Sequence, residues 1–87
     1  MSDDELKRVV VAALEAANAS ARRDPRIADY LAGRVDVPMH AIDLDSLGGM
    51  EFCIAIELST GVSIVPHELQ ELGTLTGVAD SIRARLA

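Results

Sequence analysis

Leu6, Val9, Val10, Ala13, Leu14 and Ala17 recur at helical spacing through an otherwise polar stretch, and this stripe most restricts the folds open to the chain. At 3.6 residues per turn they share one face; on a strand they would scatter over both. The spacing predicts a helix over residues 3–21, capped by Ser2 or Asp3, with Asp4 and Glu5 in its first turn and Arg22 and Arg23 beyond its end. A helix with one apolar face needs partners, and the rest of an 87-residue chain must supply them. With one Phe, one Tyr and no Trp, the core must come from Leu, Ile, Val, Met and Ala, which suits helix packing better than a β-sandwich. Apolar residues make up 49% of the chain, too many for disorder, and the length suits a single domain over residues 1–87.

The remaining signals are also helical. Asp24-Pro25 is a cap followed by proline at a first helical position, which predicts a short helix over residues 25–32 with Ile27, Tyr30 and Leu31 inward and Gly33 as its stop. Residues 34–44 lack a sustained period and are expected to form an ordered loop tethered by Val35, Val37, Ile42 and Leu44. A long helix is predicted from Ser46 to Thr60, ended by Gly61. Phe52, Cys53 and Ile56 can point inward on it, while Leu47, Met50, Ile54 and Leu58 form a second apolar stripe, with Leu47 and Met50 expected to be partly exposed. Gly48 and Gly49, costly within a helix, are expected to leave the backbone beside Ser46 open to close approach. Pro66 opens a very short helix with Glu68 near its start, Leu69 and Leu72 as its apolar contacts and Gly73 as its end. Thr74 caps a last one with Leu75, Val78, Ile82 and Leu86 on one face. The expected fold is all-α.

A net charge of −6 argues against general nucleic-acid binding, which draws its affinity from phosphate neutralisation. It suits protein partners with basic docking surfaces. Cys53 is the sole cysteine, so no intramolecular disulfide is available, and it reads as a small core residue. The acidic N-terminus does not read as a signal peptide, and no segment has the length of a membrane span; the expectation is a cytoplasmic monomer without membrane insertion. His40 and His67 stand apart from any cluster with metal-ligand spacing, and no metal site is expected.

Ser46 stands between Asp45 and Leu47, where a polar loop gives way to the long helix. A phosphodiester attached there would sit at the favourable end of the helix dipole. The run Asp45-Ser46-Leu47 resembles the prosthetic-group site of the acyl and peptidyl carrier protein family. Over about half the chain, Glu51, Ile56-Glu57, Gly61-Val62-Ser63-Ile64 with Pro66, and Leu72 through Ile82 are similar to later signals of that family. The chain departs from it at Thr60, where phenylalanine is common, in an acidic run reduced to Glu57, in a proline one residue late, and in an insertion-like segment from Arg22 to Gly33. These departures suggest a specialised carrier rather than a housekeeping one.

The resemblance implies a four-helix bundle with a long first loop, an optional extra short helix and a short third helix. It also implies a non-enzymatic role: 4′-phosphopantetheine, donated by coenzyme A, is attached covalently to Ser46 and carries an acyl or aminoacyl group as a thioester. The partners implied are a phosphopantetheinyl transferase, a loading ligase and a downstream synthase or transferase of a fatty acid, polyketide or nonribosomal peptide pathway. Asp45 would orient the transferase or its metal ion, or serve only as a cap. Leu47, Met50, Glu51, Ile54 and Glu57 would form the docking surface. Two other readings stand beside this one. A small helical adaptor would use the same stripe without modification. A hydrolase would need Ser46, a histidine and an acid to converge, which their spacing does not demand.

Overall fold

The chain enters its first helix through a reciprocal cap: Ser2 Oγ accepts from the Glu5 N–H at 3.2 Å, and Glu5 Oε1 accepts from the Ser2 N–H at 3.2 Å. This computed structural model describes residues 1–86. Helix α1 spans Asp3–Ala17 and buries Leu6, Val10, Val11, Ala13 and Leu14. It ends four residues before the predicted boundary. At Asn18 the backbone turns extended, and the side-chain Oδ1 accepts from both the N–H and the hydroxyl of Ser20. Asn18 thereby restarts the chain as a 3-10 turn over Ala19–Arg23, a local side-chain bond displacing the helical one.

Helix α2, Pro25–Leu31, is the extra short helix, capped by Asp24 through the Arg26 N–H at 2.9 Å. It buries Ile27 and Tyr30, whereas Leu31, expected inward, is exposed. Gly33 takes a positive φ of 78°, and the N–H groups of Gly33 and Arg34 close back onto Tyr30 and Asp29. In the following loop, Val37 is buried and Ile42 and Leu44 pack against the core, but Val35 faces solvent. The Leu75 N–H donates to Val37 O at 2.9 Å and the Met39 N–H to Gly73 O at 2.8 Å, which fixes the first half of this loop against the start of the last helix. A 3-10 turn follows over Met39–Ala41.

Helix α3 spans Ser46–Thr60 and stops at Gly61 in the left-handed conformation, as its flanking residues predict. Helix α4 is the short Glu68–Leu72; Pro66, expected to open it, lies in the turn just before, and its carbonyl accepts from the Leu69 N–H at 3.1 Å. Helix α5, Leu75–Leu86, starts where Thr74 Oγ1 accepts from the Gly77 N–H. Leu75, Val78 and Ile82 are buried, while Leu86, expected on the same face, is exposed. The fold is all-α; among the described residues the only β-pairing is an isolated bridge between Pro38 and Thr74. Among the described residues there are five α-helices, with α3 and α5 both packed on α1. The buried side chains form one cluster in which the chain's two aromatics, Tyr30 and Phe52, are among the largest. No helix among the described residues is long and apolar enough to cross a membrane.

The Tyr30 hydroxyl is buried without a hydrogen-bond partner among the described residues. Burial pushes its pKa up to about 12, with Asp36 and Asp80 adding to the shift. A raised folded-state pKa means full stability below the unfolded value near 10 and progressive loss as pH rises towards 12. Because Tyr30 is the only tyrosine and tryptophan is absent, ultraviolet titration reads this group alone: phenolate absorbance is expected to lag free tyrosine. Tyr30→Phe is expected to remove the alkaline loss and raise stability at neutral pH by about 1 kcal/mol, read by urea unfolding, because it deletes an orphaned hydroxyl.

Candidate functional site

Ser46 is the first residue of α3 and is exposed. Asp45 is the cap: its Oδ1 accepts from the Gly48 N–H at 2.6 Å, and its carbonyl accepts from the Gly49 N–H at 2.9 Å. A first helical turn leaves the N–H groups of Ser46 and Leu47 without helical acceptors, so they are available to an anion on the Ser46 hydroxyl. Gly48 is buried rather than open to solvent. A Cβ there would meet Asp45 Oδ1 at 3.1 Å and Leu44 Cδ2 at 3.2 Å, so its bare Cα admits the cap and the loop side chain, not a partner. Gly49 is buried as well, so neither glycine opens the backbone to a partner, although Gly49 borders the cleft beside Ser46 and a Cβ there would make only an ordinary 3.8 Å contact with Pro66.

Asp45→Ala is expected to cost about 1 kcal/mol through loss of the cap, and Asp45→Asn much less, since an amide oxygen accepts the same bond. Thermal melts of the two variants check this.

The sequence does not reveal the cleft in front of Ser46. Residues 39–46 form one wall, and Pro66, His67, Leu69, Gln70 and Gly73 form the other, enclosing an open volume of about 850 Å³. The fold therefore brings His40 and His67 to the same cleft as Ser46, although they lie apart in sequence. Both imidazoles are on exposed residues, and neither is hydrogen-bonded to Ser46. Among the described residues, no group of three or more His, Cys, Asp or Glu side chains is placed to hold a metal ion.

Along the same helix, Leu47, Met50, Ile54 and Leu58 are 63%, 52%, 52% and 83% exposed. Exposure on this scale leaves the second stripe outside the core along its whole length, further than the partial exposure expected for its first two members. Glu51 and Glu57 are exposed beside it. Phe52, Cys53 and Ile56 occupy the opposite, buried face. Burial, with the Glu68 carboxylate adding to it, pushes the Cys53 thiol pKa up, which suits a core residue and not a nucleophile. The serine and the cleft thus lie at the N-terminal end of α3, and the exposed stripe begins beside the serine at Leu47 and runs the length of the helix. No family model, no curated protein and no solved structure matches the chain.

Proposed function

We propose that the chain is a carrier domain of the acyl or peptidyl carrier kind, modified with 4′-phosphopantetheine at Ser46. The observation that carries this reading is an exposed serine hydroxyl at a helix N-terminus, fronting an open cleft and continuous with an exposed apolar stripe on the same helix.

The residues present fit the group. Ser46 Oγ supplies the point of attachment, the first-turn N–H groups face the phosphodiester, and the open cleft that Ser46 lines leaves room for the group. When bound, phosphopantetheine supplies a terminal thiol on a flexible arm, able to hold an acyl or aminoacyl group as a thioester. The protein contributes tethering rather than bond chemistry, raising the effective concentration of cargo at each partner enzyme. Asp45 holds the helix start with one carboxylate oxygen, and its exposed carboxylate would orient a transferase or its metal ion. Leu47, Met50 and Ile54 supply apolar contact to a partner, and Glu51 and Glu57 set register against basic residues.

An unmodified helical adaptor is the second reading, favoured by the same exposed stripe. The two separate cleanly. In the carrier, Ser46→Ala removes all transfer from coenzyme A, whereas Met50→Asp leaves the hydroxyl in place and raises the KM of the transferase for the protein by about tenfold. In the adaptor, the wild type takes no group and Ser46→Ala changes nothing. Transferase kinetics with labelled coenzyme A decide between them.

A further inference from the structure

Side chains just beyond α1 and at the start of α2 reach the loop before Ser46. The loop that leads into Ser46 is fixed in two different ways along its length. Its first half is bonded through backbone to the start of α5, at Val37 and Met39. The backbone N–H bonds of Ala41, Ile42 and Leu44 instead run only within the loop, to Pro38, Met39 and Ile42. Two side chains span to this second half from elsewhere: Asn18 Nδ2 donates to Asp43 O at 3.1 Å, and Arg26 Nη2 donates to Ala41 O at 3.1 Å.

Both donors are themselves held. The Ser20 N–H, bonded at 3.1 Å, identifies the oxygen of the Asn18 amide and turns its NH₂ group towards Asp43. The Arg26 guanidinium is gripped by Asp24, with Nε 3.1 Å from each carboxylate oxygen and Nη2 2.6 Å from Oδ2. Asp24 in turn caps α2. The fork of a guanidinium can hold the carboxylate and still reach the Ala41 carbonyl, which a single ammonium cannot do in the same geometry.

We infer that Asn18 and Arg26 are positioning residues for Ser46: they hold the carbonyls of Asp43 and Ala41, and with them the cleft wall that leads into α3, so that the hydroxyl is presented in a fixed place. The role in modification rests on the carrier reading of Ser46; the tether itself does not. It also gives the 3-10 turn and the start of α2 a task that packing alone does not explain.

The test pairs hydrogen exchange with transfer kinetics on the full chain. Asn18→Asp keeps the oxygen that caps the 3-10 turn and replaces only the donor to Asp43. Arg26→Ala removes the other donor from a half-exposed side chain, and Arg26→Lys is its conservative partner. In Asn18→Asp and Arg26→Ala, amides of the peptide covering residues 39–49 should exchange about three- to tenfold faster, the range a lost hydrogen bond of ordinary strength gives, while core peptides of α1 and α5 keep their protection. The KM of a phosphopantetheinyl transferase for the protein should rise by a similar factor with kcat little changed, and Arg26→Lys should recover only part of the loss. Unchanged exchange over residues 39–49 in both variants overturns the tether, even if the wild type is modified normally. Faster exchange with an unchanged KM overturns the positioning role. A wild type that is never modified overturns the carrier reading and the role with it, while exchange still reads the tether on its own.

Discussion

Phe52→Ala is expected to lower stability by about 3–5 kcal/mol, read as a fall in the urea midpoint at unchanged slope. Phe52 is fully buried in the middle of α3, and it is the only phenylalanine in the chain. It belongs to the one core cluster, whose other members are mostly aliphatic, on a helix that packs chiefly against α1. A domain of this length holds on the order of 4–13 kcal/mol in total, so the variant should be partly unfolded at 37 °C. The consequence reaches the site. Phe52 lies on the helix that presents Ser46 at its start and the exposed stripe on its opposite face, so loss of its packing should impair both together. Met50→Asp, two residues away but exposed, should leave the midpoint almost unchanged, which separates docking from folding.

The second large effect reverses a helix-propensity rule. Gly77 lies in the first turn of α5, where alanine would ordinarily add up to about 1 kcal/mol. Here an added Cβ falls far inside contact distance of the Leu72 carbonyl oxygen and 3.1 Å from that carbonyl carbon. These are backbone atoms at the end of α4, so the clash cannot be relieved by a side-chain rotation. Gly77→Ala should therefore cost about 2–3 kcal/mol and loosen the α4–α5 corner. Gly49→Ala is the matched control: its Cβ meets only Pro66 at ordinary distance, and it should be neutral or stabilising by less than about 1 kcal/mol. Urea unfolding of the two variants tests the opposite signs directly.

These two glycines show what the amino-acid order reveals and what it withholds. The bounds of α3 follow from local chemistry, since Asp45 caps one end and Gly61 takes a positive φ at the other. The end of α1 does not, because the apolar period runs on through Ala17 and Ala21 while the Asn18 side chain interrupts it. Val35, Leu31 and Leu86 have the right character for burial but lie at the margins of their elements, where no neighbour covers them. The stripe from Leu47 to Leu58 is readable as a period, yet its exposure depends on how α1 and α5 are placed. Ser46 and Asp45 are readable as a capped helix start. The cleft before them is not, because its walls come from residues 39–46 and 66–73, which no local pattern joins. The tethers from Asn18 and Arg26 escape sequence reading for the same reason, as each ends on a backbone carbonyl that carries no side-chain signature.

Whether Ser46 accepts a phosphopantetheine group is the central question, and mass spectrometry answers it most directly. The wild type and Ser46→Ala are incubated with coenzyme A, magnesium and several phosphopantetheinyl transferases, weighed intact, and then digested to map the addition. One phosphopantetheine on the wild type, located on the peptide containing Ser46 and absent from the folded Ser46→Ala variant, is the predicted result. Folded wild-type protein that gains no mass with any transferase would contradict the carrier reading and leave the exposed face of α3 as an adaptor surface.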